Sequence, residues 1–205
     1  MVVILPFFAV CPLGGGAELE KVQELLMTFP VIAAVKDETE LRRALDSDCP
    51  VVFLLFGSIV SVESLVQRVK SRGKVCFVHI DLVEGLSNRE VAVDGLVKLC
   101  SPDGIISTRS PSIRRARQLG ILAIQRVFML DSMSLKNLLL QLDTVSADFI
   151  EILPGILPGV IQEIARKTDI PLIAGGLIRS KQDVIQALQA GVLAVSTSCP
   201  DVWQM

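Results

Sequence analysis

Tyrosine is absent from the 205 residues, and Trp203 is the only tryptophan. The aromatic stacking platforms common in single-strand nucleic-acid binders are therefore scarce. Cys11, Cys49, Cys76, Cys100 and Cys199 are odd in number and scattered, without C-x-x-C or zinc-type spacing. They read as the reduced thiols of a cytoplasmic protein. The sequence has no P-loop, no H-E-x-x-H helix and no G-x-S-x-G elbow, which removes the motif-borne nucleotide-binding, zinc-protease and serine-hydrolase classes. Membrane-length apolar runs are also missing. Residues 2–13, VVILPFFAVCPL, are too short to span a bilayer and are broken by Pro6 and Pro12. They also lack the preceding Lys or Arg of a signal peptide. No charge sign dominates, since 20 Lys+Arg face 22 Asp+Glu for a net charge of −2. That balance argues against a generic nucleic-acid or membrane-surface protein, while leaving room for a local basic face.

What the chain does have is apolar content. Hydrophobic residues make up 51%, which excludes disorder and allows a sizeable core in one domain. From residue 31 onward one unit repeats. Eight apolar runs, 31–35, 51–56, 74–80, 104–108, 121–128, 148–153, 171–174 and 192–196, alternate with polar-faced segments. Helix punctuation marks those segments. Asp37 stands three residues before Glu40, and Ser180 three before Asp183, as at N-caps; Gly120 and Gly191 follow as stops. Continuous apolar strands separated by helices require a parallel sheet with a covered outer face. Eight units close most economically as a compact parallel (β/α)8 TIM-like barrel. A doubly wound open sheet is the alternative, but the G-x-G-x-x-G fingerprint after the first run is missing. Residues 17–26 read as a short amphipathic helix outside the repeat. Residues 1–27 are therefore expected to be an N-terminal extension, with Met27 as a candidate natural start, and 28–205 to be the single barrel domain.

In such barrels ligands sit where the strands end. The strand ends offer Lys36, His79, Asp81, Ser107, Arg109, Glu151, Gly175, Gly176, Ser196, Thr197 and Ser198. Phosphate is expected at Lys36, the Gly175-Gly176 turn and Ser196-Thr197-Ser198, with a short helix starting in the CPDVW segment to aim backbone donors at it. The same glycines and hydroxyls also read as an ordinary tight turn and a helix cap. His79, Asp81, Ser107, Arg109 and Glu151 are expected around the remainder of the pocket. His79 with Asp81 reads as an acid–base pair or as a hydrogen-bonded histidine without chemistry. Asp81, Glu84 and Glu151 are hard oxygen donors, yet nothing in their spacing fixes a metal set, and no metal is expected. Between Gly104 and Leu130 lie five arginines and no acidic residue. Arg114, Arg115 and Arg117 on the helix there are expected to form a local basic patch that nucleic-acid phosphates could neutralise, or a solvated face.

Several segments go further. GKVCFVHIDLVEGL (73–86), PDGIISTRSPSI (102–113), AIQRVFMLDS (123–132), DFIEILPGILPGVIQEI (148–164), IAGGLIRS (173–180) and AVSTS (194–198) closely resemble the glycerol-3-phosphate-responsive antiterminator family, in uninterrupted order over about residues 28–204. The resemblance implies a TIM-like barrel without a cofactor. Its effector would be sn-glycerol 3-phosphate and its partner the leader mRNA of bacterial glycerol-use operons, where it prevents premature termination. The alternatives are a barrel enzyme acting on a small phosphorylated substrate through His79, Asp81 or Glu151, and a binding protein with neither RNA nor turnover. Fold and phosphate loops alone do not separate these.

Overall fold

The structure is a computed structural model that describes residues 16–205. The apolar run 2–13 and the first two glycines of the triplet at 14–16 lie outside the described residues. In chain order the elements are α1 (Gly16–Thr28), β1 (Val31–Val35), α2 (Glu38–Leu45), β2 (Val51–Leu54), α3 (Val62–Ser71) and β3 (Val75–His79). There follow α4 (Val91–Cys100), β4 (Gly104–Ser107), α5 (Ser110–Gln118), β5 (Leu122–Phe128) and α6 (Ser132–Gln141). The chain closes with β6 (Phe149–Leu153), α7 (Pro158–Ala165), β7 (Leu172–Gly175), α8 (Lys181–Gln189) and β8 (Ala194–Thr197). The strands pair in sequence order, all parallel, and β8 returns to β1. This is the closed (β/α)8 barrel that the eight runs imply.

Strand alternation sorts the apolar residues into two packed layers. Ile32, Phe53, Phe77, Ile106, Ile124, Phe149 and Ile173 fill the interior, where Phe53 and Phe77 meet edge to face with centroids 5.6 Å apart. The intervening residues, such as Val52, Val78, Ile105 and Ile150, pack outward against Leu41, Leu65, Ile113 and Ile161 of the helices. Each residue in both sets is at most 2% exposed, so both faces of the sheet are dry, as a parallel sheet requires.

Helix boundaries follow the punctuation. Asp37 Oδ1 accepts from the N–H groups of Thr39 and Glu40 at 2.7 and 2.8 Å. Ser180 and Asp183 exchange bonds as a capping box ahead of α8. Gly120 and Gly191, just past α5 and α8, have φ of +77° and +104°, the left-handed stop that a Cβ disfavours.

The sequence places the barrel's start at residue 28, and the structure extends the packed unit upstream. Val22 and Leu26 of α1, 2% and 1% exposed, join the interior cluster and plug the end where the strands begin. The apolar stripe of a short helix has nowhere else to be buried. Leu26→Ala should therefore cost the barrel about 2–5 kcal/mol, the usual loss for a core leucine. A thermal melt reads this as a drop of several degrees; an unchanged melt would mean that α1 is only loosely attached.

Candidate functional site

Along four strands the inward stripe turns polar at the C-terminal end. The positions continuing it are His79 on β3, Arg126 on β5, Glu151 on β6 and Ser196 on β8, each at most 8% exposed. Register does the assembly. Arg126 lies directly beside Glu151, and Gly175 beside Ser196. Arg126 Nε donates to Glu151 Oε2 at 2.6 Å, and Ser196 Oγ donates to Oε1 at 2.5 Å. Both carboxylate oxygens of Glu151 are thus satisfied inside the barrel, as a buried charge needs.

Gly175 is part of the same arrangement. A Cβ there would lie 2.5 Å from Glu151 Oε1 and 2.8 Å from Ser196 Oγ. Its missing side chain is the space through which the carboxylate reaches the serine. The next two residues, Gly176 and Leu177, have φ of +73° and +62°. Leucine is an uncommon occupant of that conformation, and it stands exposed over the opening.

Above this layer lies a cavity of about 470 Å³. Of the residues expected to hold phosphate, Lys36, Gly176, Ser196, Thr197 and Ser198 line it; Gly175 does not. The three hydroxyls are not equivalent. Ser196 is committed to Glu151, and Thr197 Oγ1 donates to the Ile178 carbonyl at 2.6 Å. Ser198 Oγ accepts from Lys36 Nζ at 2.9 Å, which leaves its own O–H to give. The expected helix in CPDVW is only a 3-10 turn at Val202–Gln204. Trp203 causes this: it is 1% exposed and donates its indole N–H to the Thr197 carbonyl at 2.8 Å, folding the chain end under the barrel wall.

Of the residues expected around the rest of the pocket, Glu151 lines the cavity, whereas His79, Asp81, Ser107 and Arg109 do not. Asp81 instead ties the loop after β3 to the end of β4. It accepts from Ser107 Oγ, Thr108 N and Thr108 Oγ1 at 2.8–2.9 Å. Burial works against this carboxylate, but the hydrogen bonds from Thr108 and Ser107 outweigh it and hold its pKa below the usual value. Arg109 serves the start of α5, where its N–H donates to Ser107 Oγ at 3.0 Å. Asp81, Glu84 and Glu151 do not converge, and among the described residues no three His, Cys, Asp or Glu side chains gather as a metal set.

Two cations in the lining escaped the sequence reading as ligand candidates. Arg126 stands at a strand end and in the basic stretch without being assigned to the pocket, and Arg179 lies in a loop. The signal for Arg126 was parity: Leu122, Ile124 and Arg126 share one face of β5, so an arginine ends an inward stripe and demands a buried acid. Arg179 carried no comparable signal, because the loop that brings it to the mouth has no period.

The arginines of α5 are not one free basic face. Arg115 is paired in two bonds with Asp94 of α4, its Nε at 3.0 Å, and Arg117 pairs with the buried Asp148 at 2.7 Å. The acids come from outside the 104–130 stretch, which is why that stretch looks uncompensated in sequence. Arg114 alone of the three is exposed and without an ion-pair partner among the described residues.

The architecture defines a TIM-barrel protein with a cation-lined cavity at the C-terminal mouth. Its family follows from comparison: residues 31–203 match the model of the glycerol-3-phosphate responsive antiterminators, and the chain belongs to that family. It is 38% identical to the glycerol uptake operon antiterminator regulatory protein of Listeria monocytogenes, with a TM-score of 0.82 over 85% of this chain and 95% of that one. A glycerol uptake operon antiterminator-related protein of Thermotoga maritima is 33% identical, with a TM-score of 0.76 over 85% and 98% of the two chains. YgcP of Escherichia coli, an uncharacterized protein, is 42% identical over 88% of this chain and 95% of its own.

Two measurements check this layer. Arg126→Met should strand the Glu151 charge and cost about 3–5 kcal/mol, whereas adding Glu151→Leu should restore most of that loss. A double variant as unstable as the single one would show that the pair is not an isolated unit. The second concerns His79, whose Nδ1 is buried with no hydrogen-bond partner among the described residues. Burial, reinforced by the Arg126 guanidinium, pushes its pKa down from 6.5 to about 4. Between those values the unfolded chain binds a proton that the native state refuses, so this contribution to stability is lost as pH falls from about 6.5 towards 4. His79→Leu should flatten the stability–pH curve in that window; an identical curve would mean that other groups set it.

Proposed function

We propose that the protein is a regulator that binds sn-glycerol 3-phosphate in the barrel mouth and acts on the leader mRNA of glycerol-use operons to prevent premature termination. The observation that carries the ligand half is charge. Lys36, Arg126 and Arg179 bring three positive charges to the cavity and Glu151 one negative, a surplus of two. A phosphate monoester carries about −1.5 to −2 at neutral pH. Lys36, the Ser198 hydroxyl and Arg179 take the phosphate in this reading, beside the Gly176 turn. The Arg126–Glu151–Ser196 layer forms the floor towards which the glycerol hydroxyls point.

Family membership supports the RNA half, together with the name of the Listeria relative. Binding without turnover fits the placement of the acid–base groups. His79, the single histidine, is 3% exposed and lies outside the cavity lining. Glu151 is held by both neighbours and has no free oxygen to move a proton. Hydrogen bonds from both sides hold the floor fixed.

Saturating sn-glycerol 3-phosphate, at 100 times its dissociation constant, should raise folding stability by about 2.7 kcal/mol. Ser198→Asp should abolish the gain, because the new carboxylate neutralises Lys36 and repels the phosphate. Leader-transcript affinity should rise with ligand, and ligand affinity should rise with RNA by the same factor. Ligand stabilisation intact in Ser198→Asp would refute the site. A product formed from glycerol 3-phosphate, and lost in Glu151→Gln, would move the protein to the enzymes.

A further inference from the structure

The mouth of the barrel carries a second opening, on the flank away from Lys36. We propose that this cleft, between β5, α5 and α6, receives one unstacked base of the leader RNA, with Phe128 as its stacking face and Gln125 as its hydrogen-bonding reader. The proposal rests on the RNA-regulator reading above.

Two adjoining cavities, of about 370 and 120 Å³, share Ser110, Gln125, Gln141 and Val145 and so form one cleft. The larger alone falls in the range of small-molecule sites, about 300–1,000 Å³. Its chemistry suits a nucleobase. No aspartate or glutamate lines either part, while amides from Gln125, Asn137 and Gln141 do. An amide offers a donor and an acceptor side by side, the pattern that matches a base edge.

Gln125 is the strongest pointer. It is 92% buried, since only 8% is exposed, and it faces both cavities. Its Nε2 reaches the carbonyls of Ser107 and Arg126 at 3.4 and 3.5 Å. Both contacts are long for hydrogen bonds and place the amide nitrogen against the backbone. Its Oε1 is left towards the cleft, without a donor among the described residues. That oxygen is not sealed from solvent, since His79 Nδ1 is the one buried side-chain nitrogen or oxygen without a partner among the described residues, so it is open to a donor arriving in the cleft.

Phe128 supplies the complementary surface. It is 47% exposed, and among the described residues no other aromatic ring is exposed. An exposed ring bordering a cleft of amides is how single-stranded bases are held, by stacking below and hydrogen bonds at the edge. Arg114, free of the ion pairs that occupy Arg115 and Arg117, lines the smaller cavity, where the RNA backbone would run. Arg126 lines both this cleft and the cavity proposed for glycerol 3-phosphate. Arg109, expected around the pocket from its place at a strand end, lines neither.

The experiment uses the full chain, saturating sn-glycerol 3-phosphate and the leader transcript of the source organism's glycerol-use operon as probe. Phe128→Ala should weaken transcript binding roughly ten-fold, the usual cost of removing a stacking ring. Phe128→Trp should retain binding, and Phe128→Leu should not. Gln125→Leu should weaken binding as well, and Arg114→Ala should lower the salt slope by about 0.7. Ligand-induced thermal stabilisation reports in every variant that the barrel is folded and the first cavity intact. Wild-type binding that survives both Phe128→Ala and Gln125→Leu overturns the cleft and leaves the antiterminator reading standing. Full binding by Phe128→Leu also overturns it, because it assigns the patch to apolar packing. A wild-type protein that binds ligand but never the transcript overturns both readings.

Discussion

A single carboxylate organises the mouth of this barrel. Glu151 is fully buried, and an ion in such a place persists only if both oxygens are hydrogen-bonded and its charge is matched. The structure meets that demand from three strands: Arg126 beside it on β5, Ser196 from β8, and on β7 a glycine that leaves the path between them open. The consequences spread outward. Ser196 is taken from the set of hydroxyls that an incoming anion can use. Arg126 is held upright at the rim by its neighbour. The β6–β7–β8 wall must close in one register, because a slip by one residue would send Glu151 into the apolar helix layer. The pair is thus better understood as a specifier of register and rim geometry than as a source of net stability.

The fold was legible because it is written in periodicity. Eight apolar, β-branched runs with capped helices between them leave few topologies, and all eight became strands of the closed sheet. Residues of the cavity were legible for the same reason: strand ends are fixed by where apolar runs stop, so Lys36, Gly176 and Ser196–Ser198 fell on one cavity. What sequence could not supply was partnership. Asp81 and Arg109 stand at strand ends yet serve the loop after β3 and the start of α5. The arginines of α5 look uncompensated because Asp94 and Asp148 are 21 and 31 residues away along the chain. The segment after Ser198 looks like a helix start until Trp203 is seen to need a buried position and an acceptor for its N–H. α1 was read as an appendage because it precedes the repeat; the open end of a barrel needs a cover, and nothing in the repeat provides one.

The cations of this mildly acidic protein divide between internal braces and charges that face open cavities. Arg115 and Arg117 are cross-braces: the first ties α5 to α4, the second anchors α5 to the start of β6. Burial raises the pKa of Asp148 even with Arg117 beside it, which marks that brace as structural, not as a surplus charge awaiting a ligand. Removing these arginines would weaken the fold before it tested any nucleic-acid contact. Among the cations that line the cavities, those without an ion pair stand apart, with Lys36 and Arg179 in one and Arg114 in another.

Arg126 stands between those two sides, and its position sets a condition on any coupling. A ligand shifts a second binding event only through a difference in its affinity for two states. Arg126 has one such difference built in, because its Nε is bound to Glu151 while the rest of the guanidinium can face either opening. A ligand hydroxyl seated over Glu151, as proposed above, would compete with that carboxylate for the guanidinium. Whatever the guanidinium gave to that ligand it would withdraw from the flank it also lines, and the carbonyl of the same residue is one of the two that the Gln125 amide nitrogen reaches. The reach of the effect is short, a single side chain and the peptide that bears it. A sub-ångström adjustment there can matter because Gln125 is buried, and a buried amide has only a few ways to be satisfied.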